Sequence, residues 1–241
     1  MTDPKPPDTA RWAGETHPLD NPVLASLRGP HAHFARRRGN ELGYPVDVSP
    51  FVGLPDYPDR ADWDDLAALA GPGALIALAG VPVPPPEGWQ VTPIGDGVQL
   101  VDDGVQAGTD HEAVRLGPGD RAEMLDLAER TRPGPFLPRT GELGVFLGIR
   151  RGGALVAMAG ERLHPPGWTE ISGVCTDDGW RGHGFATRLM RMLVGGIRAR
   201  GETPFLHALA SNAGAVRLYE TMGFRLRRTI TFTAARVPDE S

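Results

Sequence analysis

The chain has 241 residues, 40% hydrophobic and 23% charged, a balance that fits one large folded domain or two small ones and excludes disorder throughout. A net charge of −5, with no long run of either sign, excludes a surface built mainly for nucleic acid. A single cysteine, Cys175, excludes an intrachain disulfide and a cysteine-rich zinc site, and no stretch approaches the ~20 apolar residues of a membrane span. The expectation is a protein of the cytoplasm.

Residues 1–18 are rich in Pro and charge, with no apolar run; they read as a flexible N-terminus, neither signal peptide nor anchor. Residues 19–107 then read as an N-terminal α/β domain of unassigned role. The pattern predicts a helix over Val23–Arg38, which would leave Arg36-Arg37-Arg38 as its solvated end, with a local anion contact the lesser alternative. A second helix is expected over Asp62–Ala70, and strands over Ala74–Ala79, Trp89–Thr92 and Val98–Val101. His31 and His33 could suggest a metal, but no carboxylate or thiol spacing completes a site, so none is expected. The acidic, Gly-containing stretch Asp102–Asp110 marks a soft boundary.

The C-terminal half, residues 108–241, is clearer. A strand over His111–Leu116 leads to a helix over Arg121–Arg130, closed by Pro133-Gly134-Pro135. Val145–Arg150 and Ala154–Leu163 flank a tight turn at Arg151-Gly152-Gly153. Then come a strand over Trp168–Thr176, a helix from Phe185 to about Arg200, a strand over Pro204–Ala210, a helix over Ala213–Met222 and a last strand over Phe224–Ala234. The order β-α-β-β-β-α-β-α-β is that of a mixed α/β sheet, an arrangement that creates a crevice at strand ends.

The chemistry concentrates after the Trp168–Thr176 strand. Gly182 and Gly184 clear side chains from the start of an amphipathic helix, whose free N–H groups and dipole attract an anion such as a diphosphate. Arg181 adds a fixed positive charge. Thr187 stands where a dinucleotide fold would need its third glycine, and the G-K-[ST] of a P-loop is absent. Further on, Asn212 sits at an N-cap position, Tyr219 falls on the inner helix face where its hydroxyl needs a partner, and Gly223 fits the helix C-terminus.

The spacing R-x-x-G-x-A at Arg181, Gly184 and Ala186, followed about 25 residues later by Asn212…Ala215-Val216-Arg217-Leu218-Tyr219…Gly223-Phe224, resembles the GCN5-related N-acetyltransferase (GNAT) superfamily, in its FR47-like branch. The resemblance covers roughly residues 111–236. It implies a mostly antiparallel central sheet flanked by helices; for residues 19–107, a diverged second copy of the fold is left open. It also implies acetyl-CoA as co-substrate, held by Val174, Cys175, Thr176, Arg181, Gly182, His183, Gly184, Phe185, Ala186, Thr187 and Asn212. Val174–Thr176 would run beside the pantetheine arm, and Tyr219 would lie near the coenzyme sulfur and protonate the leaving thiolate.

The acceptor would be a small-molecule or peptide amine, and the protein a monomer or homodimer. An amine is mostly protonated at neutral pH, so a general base helps. Glu170, eleven residues before Arg181, is the first candidate; by alternation it shares a strand face with Ser172 and Val174. His207 and ordered water are the others. Cys175 should point away from the Glu170 face and reads as a small buried hydrophobe rather than a nucleophile. Transfer of a longer acyl group, or acyl-CoA sensing without catalysis, stays open. The acceptor loops are expected in the N-terminal helices and in residues 134–143, and the overall negative charge is compatible with cationic amines.

Overall fold

The computed structural model describes residues 17–239, so the segment expected to be flexible lies almost wholly outside the described residues. Helix α1 (Pro22–Arg28) is capped by Asn21, whose Oδ1 accepts from the Leu24 N–H at 3.3 Å. The predicted continuation to Arg38 fails at Gly29-Pro30, because proline supplies no N–H to a helical ladder. Ala32–Phe34 is instead a single 3-10 turn, and Arg36–Arg38 forms an exposed strand, β1. It pairs with β2 (Glu41–Gly43), which pairs with β3 (Val52–Gly53). Helix α2 (Arg60–Ala70) starts two residues early because Asp59 and Asp62 form a reciprocal capping box.

The main sheet holds β4 (Leu75–Ala79), β5 (Gln90–Asp102), β6 (Ala113–Leu116), β7 (Phe146–Arg151), β8 (Ala154–Glu161), β9 (Trp168–Thr176), β10 (Thr203–Leu209) and β11 (Phe224–Arg236). Its order is β4-β11-β5-β10-β9-β8-β7-β6, and only β9 and β10 run parallel. The expected boundary at 102–110 therefore separates no sheets. Strand β5, formed before it, lies between β10 and β11, formed after it.

Two strands expected around Pro93-Ile94-Gly95-Asp96-Gly97 are one. Pro93 falls at a register shift against Thr233, where a missing N–H breaks no regular pairing. A Cβ on Gly97 would sit 2.4 Å from the Phe232 ring, so the glycine makes room for that ring rather than for a turn.

Alternation along β8 sends Ala157 and Ala159 to one face and Met158 to the other. On the first face lie α4 (Phe185–Ala199), through Leu189, Leu193 and Ile197, and α5 (Ala213–Met222), through Tyr219 and Met222. On the second lies α3 (Arg121–Thr131), through Met124 and Leu127, with the N-terminal layer beside it against Trp168 and Phe205. The fold is thus a mixed α/β, mostly antiparallel sheet flanked by helices. A fragment of residues 108–241 would leave the strand position between β10 and β11 unfilled. It is expected to show no cooperative thermal transition by circular dichroism, whereas a cooperative melt would mean that the C-terminal half folds alone.

Candidate functional site

Backbone pairing between β9 and β10 is short: Trp168 with Thr203, Thr169 with Pro204, Glu170 with Phe205. Beyond Glu170 the two strands part, leaving residues 171–176 of β9 paired only with β8. A cleft of about 290 Å³ opens there, lined among others by Val174, His207, Asn212, Tyr219 and Arg162. Gly173, in the left-handed region (φ 61°), creates a bulge in which three steps along β9 match two along β8.

That extra residue reverses the expected alternation. Val174 packs with Ile171 on the α4 face, while Cys175 packs with Met124 and Met158 on the α3 face. Glu170 and Val174 therefore do not share a face, and Cys175 does not point away from Glu170. Burial pushes the Cys175 thiol up to about 11, which keeps it protonated and unreactive.

At the end of β9, Thr176 and Asp177 lead through a 3-10 turn (Asp178–Trp180) into the glycine turn. Gly182 and Gly184 both have positive φ (80° and 75°), and a Cβ on either would meet nothing within 4 Å. Gly184 caps α4 without any side-chain hydrogen bond, so the first N–H groups of the helix, at Phe185, Ala186 and Thr187, have no hydrogen-bond partner among the described residues. The His183 ring folds back, its Nδ1 donating to the Trp180 and Arg181 carbonyls at 3.0 and 3.1 Å. The exposed Arg181 pairs with Asp178 at 2.7 Å. None of the turn residues Arg181–Thr187 is among those that line the cleft.

On α5, Asn212 Oδ1 accepts from the Ala215 N–H at 3.2 Å, and Gly223, with φ 107°, ends the helix. Tyr219 is buried in the same core, yet among the described residues its hydroxyl has no hydrogen-bond partner, and its side chain lines the cleft. Burial pushes the phenol up to about 12, so it is protonated at any working pH.

Glu170 is fully buried. Arg162, in the loop after β8, donates Nε to Oε2 at 2.8 Å and Nη2 to Oε1 at 2.7 Å, and His207 Nδ1 donates to Oε1 at 2.7 Å. Burial alone would raise this carboxyl, but the Arg162 charge and these hydrogen bonds outweigh it and hold it at about 2. Such a carboxylate is a weak base with both oxygens occupied, so the geometry does not present it as the free base expected from its position. His207 is committed too. With Nδ1–H donated to Glu170, its Nε2 accepts from Gln99 Nε2 at 3.1 Å, and Gln99 is fixed in turn by the Leu19 carbonyl (2.8 Å) and Arg227 (2.9 Å).

Arg162 and Gln99 went unnoticed in the sequence. The available signal was Glu170 itself, an acid inside the apolar run Trp168–Cys175, which demands a cation nearby. His31 serves structure: Nδ1 accepts from the Tyr44 hydroxyl at 2.9 Å and Nε2 donates to the Leu143 carbonyl at 3.1 Å. Among the described residues no group of three His, Cys, Asp or Glu side chains could hold a metal ion, and no helix is long and apolar enough to cross a membrane.

Residues 146–233 match the family model described as FR47-like protein. A solved structure from Novosphingobium aromaticivorans, a protein of the GNAT acetyltransferase family, shares 41% sequence identity and superposes with a TM-score of 0.84, covering 94% of this chain and 100% of that one. A GCN5-related N-acetyltransferase from Kribbella flavida shares the fold at 18% identity (TM-score 0.57; 91% and 96% covered). So does a GCN5-related N-acetyltransferase-like protein from Streptococcus suis at 16% identity (TM-score 0.54; 94% and 96% covered). No curated protein matches the chain.

Replacing Glu170 by Gln would strand Arg162 without its counter-charge and is expected to cost about 3–5 kcal/mol in denaturant unfolding at pH 7. The pH dependence follows from the same pair. The carboxyl titrates at about 2 when folded against 4.5 unperturbed, so its stabilisation is complete above pH 4.5 and drains away as pH falls toward 2. In Glu170→Gln that acid-dependent loss should shrink.

Proposed function

The chain belongs to the GNAT family of acetyltransferases, and from that premise we propose that it moves an acetyl group from acetyl-CoA to a primary amine by direct attack in a ternary complex. The observation that carries this reading is the parting of β9 and β10 between an open glycine turn and an unpartnered phenol. The turn Arg181–Thr187 suits a diphosphate: the first N–H groups of α4 have no partner among the described residues, the 15-residue helix sets its positive dipole end there, and Gly182 and Gly184 let the backbone come close. The β9 edge from Val174 to Thr176, free of β10, would pair with the amides of the pantetheine arm as an added strand would, and Asn212 and Tyr219 line the opposite wall.

In the proposed reaction the amine nitrogen bonds to the thioester carbonyl carbon, and backbone N–H groups of β9 steady the oxygen as charge develops on it. The carbon–sulfur bond then breaks, and the Tyr219 hydroxyl gives its proton to the leaving thiolate. The amine must arrive neutral. Glu170 and His207 are both committed to each other and to their neighbours, so the amine proton leaves through water. Glu170 then acts as a positioning residue, holding Arg162 and His207 where the strands separate.

Calorimetric titration with acetyl-CoA tests the coenzyme site. Micromolar binding is expected for the wild type and for Tyr219→Phe. It should weaken by about tenfold or more in Gly184→Glu, which combines a left-handed backbone cost of ~1–2 kcal/mol with a carboxylate facing the diphosphate. With a turned-over amine, Tyr219→Phe should lower kcat by about 100-fold at unchanged acetyl-CoA affinity. Absence of binding by the wild type would overturn the reading. Binding without turnover of any amine would favour a sensor, and faster turnover of longer acyl-CoA would reassign the donor.

A further inference from the structure

The part of the cleft away from the glycine turn has a distinctive chemistry. Its walls are Phe51 on β3's approach, Ala77 on β4, Ile94 on β5 and Phe232 on β11, so the N-terminal region enters through strands rather than through the helices expected to supply acceptor loops. Two arginines face it. Arg162 lies over the Phe51 ring, 4.9 Å from its centroid, with Nε and Nη2 turned to Glu170 and Nη1 left without a partner among the described residues. Arg132 stands at the rim, exposed, and its guanidinium makes no ion pair or hydrogen bond among the described residues.

Among the described residues that line the cleft there is no Asp or Glu; Glu170 is sealed behind and neutralised by Arg162. The net charge presented is therefore positive, although the chain as a whole carries −5.

Arg132 is held there at some cost. It ends α3 in the left-handed region (φ 52°, ψ 57°), and among the described residues it alone has positive φ without being glycine. Glycine is the usual occupant of such a helix end, because a side chain there crowds the backbone. The following Pro133 fixes the chain's exit along the cleft wall.

We infer that the acceptor is an amine carrying a carboxylate and an apolar body, in the manner of an α-amino acid with an aliphatic side chain, with Arg132 reading the carboxylate. The apolar walls take the aliphatic body and the rim guanidinium takes the anion. An amine with further positive charges would meet the unpaired Arg132 and no acid on the lining. The inference rests on the acetyl-transfer reading and narrows it.

The test uses the full chain loaded with coenzyme A and compares, by calorimetry, two stand-ins for product. N-acetyl-L-leucine carries the carboxylate and N-isoamylacetamide lacks it, and neither has a titrating amine. N-acetyl-L-leucine is expected to bind about tenfold tighter. Arg132→Gln should abolish the difference without changing affinity for acetyl-CoA. Arg132→Gly, which suits the left-handed backbone, should do the same while melting no lower than the wild type.

Equal affinities, failure of both ligands to bind, or discrimination that survives loss of the Arg132 guanidinium would each overturn the inference. Turnover of L-leucine, isoamylamine and spermidine, followed by release of free thiol, reports separately on transfer. Preference for spermidine would sink the carboxylate reading and leave transfer standing. Discrimination with no turnover of any amine would keep the anion-reading cleft and sink transfer.

Discussion

Where the backbone ladder between β9 and β10 stops, a side-chain ladder takes over. Glu170 occupies the last paired position, opposite Phe205, and its carboxylate reaches His207 two residues further along β10 while Arg162 clamps it from the β8–β9 loop. Two strands that diverge in a sheet expose peptide groups and would tend either to zip up or to peel apart. A buried carboxylate with a bidentate arginine and a histidine holds them at a fixed separation instead, at a desolvation cost that only near-complete hydrogen bonding offsets. The cleft exists because this cluster sets where pairing ends, and its charge and walls follow from what surrounds that point.

The two sides of the crevice are stiffened by different means. On the β9 side the Gly173 bulge turns Val174 toward α4 and leaves the free edge of the strand accessible. On the β10 side α5 is capped by Asn212 and Gly223, and a Cβ on Gly223 would fall 3.1–3.3 Å from the backbone of Gly104 and Val105. The helix that carries Tyr219 is thus pinned at its C-terminal end against the segment that follows β5. A phenol held this way loses little freedom when a ligand arrives, which is the condition for a positioned acid.

The C-terminal half was legible because its signals are local. Alternation, two consecutive glycines at a hairpin turn, an Asn cap and a Gly stop each act over a few residues and agree with one another. The N-terminal half was misread where distant partners decide. Pro93, Gly95 and Gly97 imitate a turn, yet β5 runs through them because β11 lies alongside and Phe232 fills the space over Gly97. The same limit applied at the site. Glu170, His207 and Tyr219 were identifiable as residues, but the bond between the first two, the clamp by Arg162 and the parity change at Gly173 depend on contacts between segments that no spacing encodes.

Strand β5 also sets a schedule for synthesis. It leaves the ribosome more than a hundred residues before β10 and β11, the two strands between which it must lie. At ~5–20 residues per second, that interval leaves both of its hydrogen-bonding edges without their final partners for several seconds or longer. An unpaired edge is a template for pairing with another chain, so the nascent protein passes through a stage at which aggregation competes with completion of the sheet. The exposed first half of β5, with its proline and glycines, is poorly suited to such pairing. The irregular sequence that disguises this strand also protects it while it waits.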